Sequence, residues 1–135
     1  MKDHSLMPIP DSDSMPFWEA CRREVLQFQL CTDCSTLRHP PRVICPQCRS
    51  ENHRWEPVSG KGTIYSYTIY RRAFHPSLEK DLPYAVALID LEENLRIVSR
   101  IIDIPMDTIS IGMPVTVRFV EIDKKTMLPF FSAVD

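Results

Sequence analysis

The sequence predicts a mainly β chain made of a short N-terminal helix, a small cysteine-stapled module and a five-stranded barrel. Three observations predict it. Apolar residues recur at helical spacing near the start of the chain and then give way to alternation. Two C-x-x-C pairs, Cys31/Cys34 and Cys45/Cys48, stand ten residues apart. Beyond Gly62 the chain is a series of β-branched and aromatic runs punctuated by turn residues.

Residues 1–15 read as a loosely ordered arm, with Pro8, Pro10, three serines, three aspartates and little to bury. Asp13 or Ser14 is placed to cap a helix whose first turn holds Pro16, where a missing N–H is no loss. Phe17, Trp18, Cys21 and Val25 then share one face, against Glu19, Arg22, Arg23 and Glu24, which predicts an amphipathic helix over 16–25. Its apolar face must dock on this chain or on a partner. Leu26, Phe28 and Leu30 alternate with Gln27 and Gln29, as in a strand running into Cys31. The cysteine module closes on a short strand around His53 and Trp55. Ser59–Gly62 then divides the chain, giving an arm (1–15), a helix with the cysteine module (16–59) and a barrel (60–135).

The second unit is all strand. Thr63–Arg72, Tyr84–Leu91, Leu95–Ile102, Pro114–Ile122 and Leu128–Val134 form five runs, with one helical turn expected in Asp103–Gly112. Five strands with a short helix or loop between the third and fourth match an OB-fold, although a sandwich or an SH3-like barrel has the same count.

The cysteine spacing carries the most specific chemistry. Each C-x-x-C turn aims two thiolates at one point, and two turns complete a tetrahedral Cys₄ shell for Zn²⁺, of the rubredoxin-like zinc-ribbon type. Such a shell has no open position, so the zinc is structural, although iron fits the same thiolates. Binding needs ionised thiolates and contributes folding energy, so the metal-free module should be largely unfolded. A disulfide needs an oxidising compartment, and a redox dithiol needs a helix start within an α/β pattern. Cys21 sits on the apolar helix face and reads as a small buried hydrophobe. His39 and His53 flank the module, are surplus to the shell, and read as surface residues or neighbours of it.

Charge is balanced, with 16 basic and 18 acidic residues and a net −2, so composition gives no basic footprint for nucleic acid. No stretch of about 18 apolar residues indicates a membrane span. Met1–Pro16 has no apolar core of a secretory leader, which predicts a reducing, cytoplasmic setting. The three glycines form neither a P-loop nor a dinucleotide fingerprint, and no catalytic constellation is visible. Tyr65 and Tyr67 fall on one face of the first barrel strand, followed at period two by Ile69 and Arg71. Arg71, Arg72 and His75 open the loop beyond it. Aromatic platforms with arginine suit a single-stranded nucleic acid, coenzyme A or a protein partner, or else pack in the barrel beside solvated arginines.

Taken in order, these features resemble the thiolase-associated zinc-ribbon/OB-fold proteins, catalogued as domain of unknown function thirty-five. The resemblance runs from residue 17 to the end. It includes Phe17-Trp18, Cys31-x-x-Cys34, His39-Pro40-Pro41-Arg42, Cys45-Pro46-x-Cys48, Trp55, Gly60-Lys61-Gly62-Thr63, His75-Pro76, Pro83-Tyr84-Ala85-Val86-Ala87 and Ile111-Gly112-Met113-Pro114. Family members usually carry glycine after the second cysteine of each knuckle, where this chain has Ser35 and Arg49. A left-handed turn there costs a non-glycine residue about 1 kcal/mol, which a metal site absorbs. The resemblance implies a non-catalytic accessory subunit that assembles with a thiolase, acyltransferase or aldolase of the thiolase superfamily. The barrel would bridge subunits or contact acyl-CoA, and the helix at 16–25, with Phe17 and Trp18, would dock. Tyr67, Arg71, Arg72 and His75 are the candidate ligand contacts. A single-stranded nucleic-acid-binding module is the alternative.

Overall fold

The computed structural model describes residues 8–134, so residues 1–7 of the arm expected at 1–15 lie outside it. Helix α1 spans Met15–Arg22 with Pro16 in its first turn. Ser14 stands at the N-cap, but its hydroxyl makes no capping bond into the helix. Instead it accepts from the Asp11 amide at 3.0 Å, while Asp11 Oδ1 accepts from the Ser14 amide at 2.8 Å. The helix stops short of the expected residue 25 because Glu24 turns left-handed, at φ 58°. The amides of Glu24 and Val25 return to the carbonyls of Cys21 (3.0 Å) and Ala20 (2.9 Å). This is a Schellman closure, usually made by glycine, and without a glycine the stop carries no sequence signal.

Strand β1 (Gln27–Cys31) is the centre of a three-stranded antiparallel sheet, flanked by β2 (Leu37–Arg38) and β3 (His53–Pro57). β2 is two residues long, too short to leave a periodic signal. The alternation expected along β1 holds for Phe28 but fails at Gln29, whose side chain is buried too. Its Oε1 accepts from Arg38 Nε at 3.0 Å and from the Arg42 amide at 2.7 Å. Those bonds offset the cost of burying an amide.

Strands β4 (Lys61–Tyr70), β5 (Tyr84–Leu91), β6 (Arg96–Ile101), β7 (Pro114–Asp123) and β8 (Thr126–Ala133) close into a barrel in the order β4-β5-β6-β8-β7. β4 pairs with both β5 and β7, and β6 meets β8 in parallel at Ile101 and Phe131. This is the OB-fold, and neither a sandwich nor an SH3-like barrel. The turn expected between the third and fourth barrel strands is a 3-10 turn at Met106–Thr108. A second 3-10 segment, Pro76–Asp81, lies in the β4–β5 connection, where the sequence predicts a loop.

The core is shared between the two sheets. Phe17 and Cys21 of α1 and Phe28 of β1 belong to the same buried cluster as Ile64, Ile89 and Phe131 of the barrel. Each fully buried aromatic stabilises the fold by about 1.5–3 kcal/mol. The helix therefore docks its apolar face on its own chain. At the entry to the barrel, Gly60 is left-handed (φ 77°), and a Cβ there would strike Val117. A Cβ on Gly62 would meet the carbonyl of Asp90, so both positions need glycine. Among the described residues, no helix is long and apolar enough to cross a membrane.

Candidate metal centre

Two turns of the same design converge. Cys31 ends β1, and the chain folds back so that the Ser35 amide bonds the Cys31 carbonyl at 2.9 Å. The second turn repeats this, with the Arg49 amide on the Cys45 carbonyl at 2.9 Å. Ser35 and Arg49 are both left-handed, at φ 61° and 67°. The conformation expected of a family glycine is thus present with serine and arginine in place. Each carries roughly 1 kcal/mol of strain, held by the turn around it.

The four sulfurs all lie within 4.8 Å of one another, with Cys31 and Cys48 3.5 Å apart and Cys34 and Cys45 3.6 Å apart. A tetrahedral zinc with Zn–S bonds of about 2.3 Å places its sulfurs about 3.8 Å apart, so the donor set fits this ion. It is the one cluster of three or more potential metal ligands among the described residues. Cys31 and Cys45 are buried, whereas Cys34 and Cys48 face solvent. Backbone amides prepare two of the thiols for ionisation. The amide of Cys34 draws the Cys31 thiol below its ordinary range, and that of Cys48 brings Cys45 down to about 6. For Cys48 the Ser50 amide pulls downward, but the crowding sulfurs, led by Cys31, and desolvation outweigh it and push the thiol up to about 12. Four thiolates need a cation to coexist. Beside the knuckles, Asp33 accepts from the Ser50 hydroxyl and from Asn52 Nδ2 (3.2 Å), and so joins the two turns.

The flanking histidines divide. His53 is exposed, lies 3.5 Å from Gln29 Nε2 and stacks edge-on with Trp55. His39, expected at the surface or near the metal, is half-buried against the rings of Phe17 and Phe28, each 5.0 Å away, and its Nδ1 is buried with no partner among the described residues. Burial pushes its pKa down to about 4. Cys21 is buried as expected, and desolvation pushes its thiol up to about 12.

The structure separates the other candidate contacts. Of the helix pair, Phe17 is buried and Trp18 keeps an exposed edge. That edge borders a cleft of about 450 Å³ lined also by His39, Pro40, Arg100 and Phe130. Tyr65 and Tyr67 do not form one open platform. A β-bulge between Ile64 and Ser66 shifts the register, which puts Tyr67 and Ile69 opposite the buried Ala87 and Ala85. Tyr67 donates its hydroxyl to the Ile109 carbonyl at 3.1 Å. The Tyr65 ring is covered by Arg96, 3.5 Å from its centroid, which Asp90 holds in place. Arg71 and Arg72 are exposed, while His75 caps the 3-10 segment through Nδ1, which accepts from the Ser77 amide at 3.2 Å.

Sequence reasoning missed Arg38, which is 3% exposed. Its Nε and Nη2 donate to the Arg42 carbonyl at 3.2 and 2.9 Å, and its Nη1 has no partner among the described residues. It also missed Arg100, whose guanidinium sits over Tyr84 (4.3 Å) and Phe130 (5.4 Å) and pairs with Asp81 (3.2 Å). Neither lies in a motif, and both are defined by contacts with residues distant in sequence.

Comparison with known proteins gives concordant results. Residues 18–54 match the family model "ChsH2, rubredoxin-like zinc ribbon domain", and residues 55–120 match "ChsH2, C-terminal OB-fold domain". The chain is 39% identical over 132 residues to a probable enoyl-CoA hydratase alpha subunit of Thermomonospora curvata. That match takes in 96% of this chain but 41% of the subunit's length. It is 41% identical over 92 residues to a DUF35 domain-containing scaffold protein of Methanothermobacter thermautotrophicus, covering 66% of this chain and 67% of that one. Among solved structures, a chain of the Ltp2-ChsH2(DUF35) aldolase is similar with a TM-score of 0.85 and 38% identity. There the match covers 94% of this chain and 98% of that one.

Proposed function

The chain belongs to the ChsH2 (DUF35) family, which joins a rubredoxin-like zinc ribbon to an OB-fold, and on that premise we propose that it is a non-catalytic scaffold subunit of a thiolase-superfamily enzyme acting on acyl-CoA. That enzyme is a thiolase, an acyltransferase or an aldolase, and it carries the reacting groups. The observation that carries the reading is the near end-to-end likeness to a chain of an aldolase assembly. The metal is a structural zinc. Four cysteines fill its shell, and the ion contributes folding energy rather than a reactive position. We read the chain as an arm (1–15), a helix with ribbon (16–59) and a barrel (60–135), with Trp18, Arg71, Arg72 and the 71–83 loop facing the partner or its acyl-CoA.

The nucleic-acid alternative draws less support. Stacking on bases needs free aromatic faces, and the Tyr65 ring already lies under Arg96. Co-purification from the native host, followed by mass spectrometry, tests the proposal. A thiolase-superfamily subunit in stoichiometric amount is expected. A chain recovered without such a subunit, or with nucleic acid released by salt, overturns it.

A further inference from the structure

The loop between β4 and β5 is fixed at several points. At its start the Tyr70 ring stacks edge-on against Tyr84, 5.1 Å away, and Tyr84 lies under the Arg100 guanidinium. His75 caps the 3-10 segment, and Arg100 holds the far end through Asp81. Phe74 stands at the tip of this held structure. It is 80% exposed and touches Tyr70 edge-on at 5.7 Å. Arg71 and Arg72 precede it in the chain, exposed and without an ion-pair partner among the described residues.

A large ring kept in water on an ordered support has the character of an interface anchor. Binding hot spots are rich in aromatic residues and arginine, and a ring already positioned loses little freedom on docking. The charge is one-sided. From 71 to 80 the loop carries Arg71, Arg72 and Lys80 against Glu79, and Asp81 is taken up by Arg100. A complementary surface is therefore an apolar pocket with an acidic rim. A phosphate backbone fits less well, because one ring edge-on to Tyr70 offers no run of stacking faces.

We propose that Phe74, with Arg71 and Arg72 just before it in the loop, anchors this chain in an acid-rimmed apolar pocket on its partner enzyme. The inference rests on the scaffold reading above and names, within the 71–83 loop, the side chain that grips the partner and the chemistry of its pocket.

The test uses the thiolase-superfamily subunit recovered with the wild-type chain and re-expressed alone. Its affinity is measured for wild type, Phe74→Ala, and Arg71→Glu with Arg72→Glu. Melting curves of each variant should match wild type, since all three side chains are exposed. Phe74→Ala should weaken binding about tenfold or more, as hot-spot truncations do. The double charge reversal should slow association, and rising salt should narrow its difference from wild type. Variants that bind within about twofold of wild type overturn the anchor and leave the scaffold reading standing. Failure to recover any such subunit overturns both. Tight binding of an oligodeoxythymidylate, lost on charge reversal, reassigns the arginines to phosphates and also overturns the anchor.

Discussion

His39 packs against both Phe17 and Phe28, where burial holds its imidazole neutral down to about pH 4 against an ordinary 6.5. Between those values the unfolded chain binds a proton that the folded chain refuses. The residue's contribution is therefore complete above about pH 6.5 and is lost as pH falls toward 4. The loss is at most about 1.4 kcal/mol per pH unit. Stability measured from pH 7 to 5 should decline less steeply in His39→Phe, which keeps a ring and removes the titration. Zinc-ligand titration is common to both proteins and cancels in the comparison. The ring proton signal of His39 should not move between pH 8 and 5.5, and a titration centred near 6.5 would show that the imidazole is solvated. The residue type gave no hint of this. Histidine beside a cysteine module looks like a metal neighbour, and only the folded chain reveals that it packs against Phe17 and Phe28.

At the scale of elements, the β4–β5 connection depends on Arg100, whose side chain is 18% exposed and whose partner Asp81 is 28% exposed. The guanidinium also covers Tyr84 and Phe130. Arg100→Gln should cost roughly 1–3 kcal/mol, between the values for exposed and buried pairs. Amide exchange should accelerate across 76–82 while β5 and β6 keep their protection. Unchanged exchange in the loop would mean that Pro76 and the His75 cap hold it unaided. The elements also show where sequence reading succeeds. Tyr84–Leu91 was legible in full because a nearly continuous apolar run bounded by turn residues is a local property. The bulge at Tyr65 was not, since one inserted residue leaves the composition of β4 unchanged and reverses every face beyond it. The end of α1 was missed because Glu24 does the work of a glycine.

For the whole molecule, the four-cysteine site was legible because a two-residue gap fixes two thiolates locally, and two such gaps specify a shell. The route by which that shell supports the rest was not legible, because it depends on packing between distant segments. Phe17, Cys21 and Phe28 share one core with the barrel, yet the barrel also closes on itself through β4–β7 and has its own buried centre at Ile64, Ile89, Val115 and Phe131. Loss of zinc should therefore act unequally. Purified protein should hold about one zinc per chain, and a chelator at neutral pH should release it. Both tryptophans, Trp18 and Trp55, precede the barrel and pack against the shared core, so their emission reports on the helix and ribbon. It should shift to the red on chelation, while amide protection in β4–β8 persists with a lowered melting temperature. Collapse of barrel protection together with the tryptophan shift would make the zinc a staple for the whole chain. Unaltered emission would mean that the ribbon folds on its apolar contacts alone, against the expectation that thiolates crowded within 4.8 Å need a cation to stay together.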